Sequence, residues 1–228
     1  MPELPAPDAA ALALSARLAE RIGAAIAAAG GRLGFDAYMQ LALYAPGLGY
    51  YVNGLRKFGA QGDFVTAPER SPLFARALAR QVAQVLAAVP DGEVLEFGPG
   101  SGALAAELLA ELDRLGCAPA RYLMLELSAE LQQRQREAIA RRVSHLAGRV
   151  VWLERLPERL AGVVVANEVL DAMPARRFRV SDRGIAELFV ASAGDGLTLL
   201  DGPPQDERLA ARVAALDLPP GYESEVNF

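Results

Sequence analysis

Val94-Leu-Glu-Phe-Gly-Pro-Gly-Ser-Gly102 is a short apolar run that breaks into alternating glycines, and Leu104, Leu108, Leu112 and Leu115 follow at helical spacing. The period changes from strand to helix across a tight turn. The same alternation recurs downstream. Tyr122 to Leu127 reads as a second strand, followed by a Ser128-capped helix with Leu131, Gln135, Ala138 and Ile139 in register. Val150 to Leu153 is a third strand, and Gly162 to Ala166 a fourth that opens into Asn167-Glu-Val-Leu-Asp-Ala-Met-Pro174. Strands alternating with helices in this way predict a doubly wound α/β fold with a parallel sheet.

Upstream, Leu14, Leu18, Ile22 and Ile26 mark an Ala-rich amphipathic helix over about residues 9–29, stopped by Gly30-Gly31. A short helix with Phe35, Tyr38, Met39, Ala42 and Leu43 on one side ends at Ala45-Pro-Gly-Leu-Gly49. Residues 54–68 show no period and read as a long ordered loop, a feature often tied to function. Ser71-Pro72 then starts a helix whose buried stripe is predicted to be Phe74, Leu78, Val82, Val85 and Val89. Downstream of Pro174, Arg177–Val180 and Ile185–Ala191 flank Ser181-Asp-Arg-Gly184 as a β-hairpin. Residues 192–204 read as turn-rich and 207–216 as a helix, with no closing strand after it. The expected division is an N-terminal helical and loop segment, 1–90, and a cofactor-binding domain, 91–228, carrying a hairpin insertion at about 175–200.

The chain has 228 residues, 52% of them apolar, and a formal charge of -5. That apolar content is ample for a core and excludes disorder over most of the chain. Cys117 and His145 are single, which excludes an internal disulfide and a Cys/His zinc site, so no metal is expected. The acidic balance lacks the footprint of a general nucleic-acid binder. Met1 to Asp8 resembles neither a secretory signal nor a mitochondrial presequence, and apolar stretches fall short of a membrane span. The reading is a soluble cytoplasmic protein with no membrane insertion, for which an oligomer stays open.

The Gly-rich turn lies at the carboxyl ends of the strands, where such sheets bind ligands, and Glu126 ends the second strand. A carboxylate there can accept hydrogen bonds from both ribose hydroxyls. The spacing G-x-G-x-G differs from the dinucleotide pattern G-x-G-x-x-G. Glu96, two residues before the first glycine, would repel a pyrophosphate and suit a cationic ligand such as S-adenosylmethionine. These residues favour S-adenosylmethionine over NAD, with a nicotinamide oxidoreductase kept as an alternative. Asn167, Glu168 and Asp171 lie just beyond the fourth strand, where two carboxylates could hold a basic acceptor and receive its proton; Asp171 reads equally well as closing the turn before Pro174. His145 and the run Arg134, Arg136, Arg141, Arg142 read as solvated, Cys117 as a turn residue without a catalytic role, and Trp152 as core, with a binding role near an adenine pocket as the alternative. Tyr50 and Tyr51 fit a lid contact and core packing alike.

Tyr44-Ala-Pro-Gly-Leu-Gly-Tyr-Tyr51, Lys57-Phe-Gly-Ala-Gln-Gly-Asp-Phe-Val-Thr-Ala-Pro-Glu69, Ser71-Pro-Leu-Phe74, Glu96-Phe-Gly-Pro-Gly-Ser-Gly102 and Asn167-Glu-Val-Leu-Asp-Ala-Met-Pro174 together resemble the MidA family. That family has many bacterial members, and a mitochondrial one is a complex I assembly factor and class I S-adenosylmethionine-dependent protein arginine methyltransferase. The resemblance implies a class I Rossmann-like fold and a cofactor site at Glu96, Gly98, Gly100, Gly102 and Glu126. It also implies that the loop from Gly59 to Pro68 covers the cofactor, with Gly62, Asp63 and Thr66 beside it. The implied substrate is a protein arginine, with a complex I subunit as one candidate, and the implied location is the bacterial cytoplasm. Asn167, Glu168 and Asp171 become the candidate catalytic residues. Family sheets have seven strands and only four core strands are legible, so a chain shortened at its C-terminus is expected. An assembly factor that binds S-adenosylmethionine with weak or no catalysis is the rival reading.

Overall fold

The computed structural model describes residues 6–53, 66–194 and 196–228. In chain order its elements are α1 (Ala9–Ala28), β1 (Leu33–Gly34), α2 (Phe35–Tyr44), α3 (Ala67–Arg70), α4 (Pro72–Ala88), β2 (Glu93–Phe97), α5 (Ala103–Arg114), β3 (Tyr122–Leu125), α6 (Ala129–Val143), β4 (Val150–Leu153), β5 (Gly162–Ala166), β6 (Arg176–Ser181), β7 (Gly184–Ala193), β8 (Gly196–Gly202), α7 (Glu207–Ala214) and β9 (Glu223–Val226). They fall into two units: residues up to Asn53 with Asp171–Phe228, and Gly54–Leu170.

In the Gly54–Leu170 unit the strands are parallel in the order β4-β3-β2-β5, the arrangement of a class I Rossmann-like α/β fold. Leu95 of β2 pairs with Leu123 of β3 on one side and Val164 of β5 on the other. Strand order therefore reverses at β2, the switch point where such sheets bind ligands. The apolar stripe of α5, Leu104, Leu108, Leu109 and Leu112, is at most 3% exposed and packs on Val94, Tyr122, Met124, Val150 and Val165. Each such leucine contributes about 1.5–3 kcal/mol by leaving water. Ser71 and Ser128 cap α4 and α6, accepting from the N–H groups of Leu73 (3.2 Å) and Leu131 (3.3 Å). The buried face of α4 differs from the expected one. Ala75, Ala79 and Val82 carry it, whereas Phe74 and Val85 are 38% and 41% exposed. Small residues one turn apart let α4 approach α5 closely, a geometry that a larger Phe74 on the same face would prevent.

The other unit is built on an antiparallel sheet in the order β1-β7-β6-β9, with β8 also paired to β7. The expected hairpin is present, Ser181 opposing Gly184 across Asp182-Arg183. Two expectations about its surroundings are corrected. Residues read as turn-rich form β8, and Glu223–Val226, where no closing strand was expected, pairs with β6 as β9. Phe178, Leu209, Val213 and Val226 bury one face of this sheet under α7, and Ile22 and Ile26 of α1 pack with Val190 of β7. Asp8 caps α1 through the N–H of Ala11 at 2.7 Å. The units do not follow the expected boundary at residue 90. The Ala75/Ala79/Val82 stripe binds α4 into the core of the parallel sheet, while β1 and α1 are held by β7. Among the described residues no helix is long and apolar enough to cross a membrane, and no group of three His, Cys, Asp or Glu side chains could hold a metal.

Candidate cofactor site

At the end of β2 the backbone turns through Gly98, Gly100 and Gly102, with φ of 54°, 54° and 82°. The Gly98 N–H donates to the Leu125 carbonyl at 3.2 Å, which stitches the turn to the end of β3. Gly102 is required twice over. Its φ is left-handed, and a Cβ there would lie 2.9 Å from the Cα of Gln135 on α6. As N-cap of α5 it has no side chain to offer; Ser101 Oγ accepts from the Ala103 N–H at 3.3 Å, and the Leu104 and Ala105 N–H groups are left as donors for a ligand. Ser101 donates its hydroxyl hydrogen to Glu69 of α3, tying the end of the long loop motif to the turn.

Glu126 stands just past β3, half-buried. Its Oε1 accepts from the Ser128 N–H at 2.9 Å and its Oε2 from the Gln135 Nε2 at 3.2 Å. Each oxygen keeps a further lone pair, so the carboxylate can still receive two hydroxyl donors. Burial raises its pKa, and the bonds from Ser128 and Gln135 pull in the other direction. Glu96 lies elsewhere than the charge argument places it. It is 2% exposed, on the same face of β2 as the fully buried Val94, and its Oε2 accepts from the Tyr122 hydroxyl at 2.6 Å. Burial lifts its pKa to about 7, so at neutral pH it is a part-protonated core group rather than a fixed anion facing a ligand.

Thr66 precedes α3, half-buried. Gly62 and Asp63 lie outside the described residues. Asn167 and Glu168 follow β5 in the parallel-sheet unit. Glu168 is exposed and has φ of 51°, a conformation rare for a residue with a side chain and found preferentially at functional sites. Asp171 falls in the other unit, in the 3-10 turn Leu170–Ala172. There the Tyr44 hydroxyl donates to the Ala172 carbonyl at 2.7 Å, and Tyr51, stacked on Tyr44, has its pKa raised by burial and by the charge of Asp171.

Glu69 closes the long loop motif without a role assigned to it there, and two further side chains, Tyr122 and Gln135, lie outside every motif. Gln135 had a visible signal, a polar residue in the apolar register of α6. Tyr122 had none, since an aromatic residue opening a strand reads as core.

Residues 77–228 match the sequence profile of the family described as "Putative S-adenosyl-L-methionine-dependent methyltransferase". The chain belongs to this family. It is similar to the mouse mitochondrial protein arginine methyltransferase NDUFAF7, with 31% identity over 67% of this chain and 41% of that one. A Caenorhabditis elegans homologue of NDUFAF7 is 26% identical over 70% of this chain and 42% of its own length. A crystal structure of a COG1565 superfamily member from Burkholderia thailandensis, bound to S-adenosyl-homocysteine, superposes with a TM-score of 0.87 and 48% identity, covering 98% of this chain and 59% of that one. This chain thus spans less than half the length of the mouse and nematode relatives. S-adenosylmethionine is the family's cofactor, and the nicotinamide alternative falls with the match. The residues present fit that group: a carboxylate with free lone pairs, a turn whose backbone is bare at Gly98, Gly100 and Gly102, and helix N–H donors at Leu104 and Ala105.

Proposed function

We propose that this protein transfers a methyl group from S-adenosylmethionine to an arginine nitrogen of a protein substrate. The observation that carries the reading is the pairing of the Gly-rich turn with Glu126 at adjacent strand ends, in a chain 48% identical to a protein that holds S-adenosyl-homocysteine. The names of the NDUFAF7 relatives support arginine as the acceptor. A complex I subunit is the first substrate to test, and the bacterial cytoplasm is the location this reading carries with it.

Bound at the turn, the cofactor supplies an electrophilic methyl carbon and a good leaving group. The protein's task is then alignment, exclusion of water and proton handling. Glu126 receives the ribose hydroxyls, while Gly98, Gly100 and Gly102 let the backbone approach the ligand. A guanidinium is protonated at neutral pH, with a pKa above about 12, so it must be oriented by anions and deprotonated as the N–C bond forms. Glu168, held at the tip of β5, accepts that proton, and the Asn167 side-chain carbonyl accepts a hydrogen bond from the acceptor group. Asp171 enters the reading by sequence, three residues after Glu168.

The test is a methylation assay with isotopically labelled S-adenosylmethionine on candidate protein substrates, read by mass spectrometry. Labelled methylarginine is expected, with Glu168→Gln lowering turnover about 100-fold or more. Label on another residue type would remove arginine, and cofactor binding without transfer to any substrate would favour the assembly-factor reading.

A further inference from the structure

Gln135 of α6 is fully buried, yet its amide is polar, and two of its three bonds lead to the cofactor site. Its Nε2 donates to the Gly100 carbonyl at 2.8 Å and to Glu126 Oε2 at 3.2 Å. Its Oε1 accepts from the indole Nε1 of Trp152 on β4 at 2.8 Å. The indole N–H can only donate, so it obliges the amide oxygen to face β4 and turns both amide hydrogens toward Gly100 and Glu126. Flipped, the amide would set its oxygen against a carbonyl and a carboxylate. The Arg136 guanidinium lies 4.0 Å from the centre of the Trp152 ring, over its face, while Gln135 takes the N–H at the ring edge. The bare Gly102 allows α6 to come this close to the turn.

We propose that Gln135 is a positioning residue for ribose recognition: oriented by Trp152, it fixes the Glu126 carboxylate and the Gly100 peptide relative to each other. The inference rests on the reading of Glu126 as the ribose-binding carboxylate. One donor thus spans the two parts of the site that a single ligand must engage together. Lost, it leaves Glu126 held through Oε1 by the Ser128 N–H while Oε2 can turn away from the hydroxyls, and the main casualty is discrimination between ribose and deoxyribose.

The experiment measures, by calorimetry, the affinity ratio of S-adenosyl-homocysteine to its 2′-deoxyribose analogue for the wild type, Glu126→Gln and Gln135→Met. The wild type favours the ribose ligand. In Gln135→Met, which keeps the volume and removes the bonds, the ratio falls about tenfold, as expected for loss of a charge-assisted bond. The double variant Gln135→Met/Glu126→Gln loses no more than Glu126→Gln alone. If Gln135→Met does not fold with its indole N–H unpaired, Gln135→Met/Trp152→Phe removes both partners and is the variant to read. Equal weakening of both ligands would reduce Gln135 to a packing role and overturn the inference. An unchanged ratio in Glu126→Gln would instead remove the ribose assignment beneath it. The wild type gives a second readout, because Trp152 is the only tryptophan in the chain. Its emission shifts with S-adenosyl-homocysteine and not with homocysteine alone, and the absence of any shift would break the proposed link.

Discussion

Glu96 holds a titrating carboxyl inside the core directly beneath the Gly-rich turn. Its pKa, about 7 in the folded protein against an ordinary 4.5, means that the folded state binds the proton more tightly than the unfolded one. Stability from this group is therefore fully present below pH 4.5, declines as pH rises, and is gone above 7. The shift corresponds to about 3 kcal/mol. Glu96→Gln keeps a partner for the Tyr122 hydroxyl and removes the titration. Urea unfolding at pH 5 and pH 8 should show the wild type losing about 2–3 kcal/mol more than the variant over that interval. Equal slopes would show that the carboxyl is not buried as described. The position of Glu96 in the motif was legible, and its direction could have been. Val94 and Glu96 are two residues apart in a strand and share a face, so a core role for one places the other there. Closeness to the glycines along the chain does not set the direction of the Glu96 side chain; the pleat of the strand does. Gln135 was legible as an anomaly only, because its meaning depends on Trp152, Gly100 and Glu126, which are far apart along the chain.

At the scale of elements, the parallel strands and the helices between them were legible because their periods are strong and their turns are marked by Gly, Ser and Pro. The strands β8 and β9 were not. Leu197, Leu199 and Leu200 of β8 are 37–48% exposed, so no alternation of burial is written into the sequence. Glu223–Val226 has a single apolar inward residue, Val226, and exists as a strand through its pairing with β6. Such segments are defined by their neighbours, and neighbours are what a sequence read in order does not display. The contact of β5 with β2 yields a sharp prediction. Gly162 has φ of 148°, and a Cβ there would lie 1.9 Å from the Glu93 carbonyl oxygen in the opposing strand. Gly162→Ala must separate β5 from β2, at a cost of about 2–3 kcal/mol in chemical unfolding. A change below about 0.5 kcal/mol would contradict the register.

For the whole molecule, a chain of 228 residues with a net charge of -5 builds two units, each with its own core. The expectation of a helical segment followed by a cofactor domain failed because α1, α2 and the C-terminal strands are partners across more than a hundred residues, as the Leu33↔Val190 pairing shows. The turn, Glu126 and Gln135 all lie in the Gly54–Leu170 unit. The most direct test is a calorimetric titration of the protein with S-adenosyl-homocysteine. One ligand is expected to bind per chain, with affinity reduced about tenfold or more in Glu126→Ala, as for the loss of a charged hydrogen-bond partner. No binding, or binding that Glu126→Ala leaves unchanged, would contradict the assignment of the site.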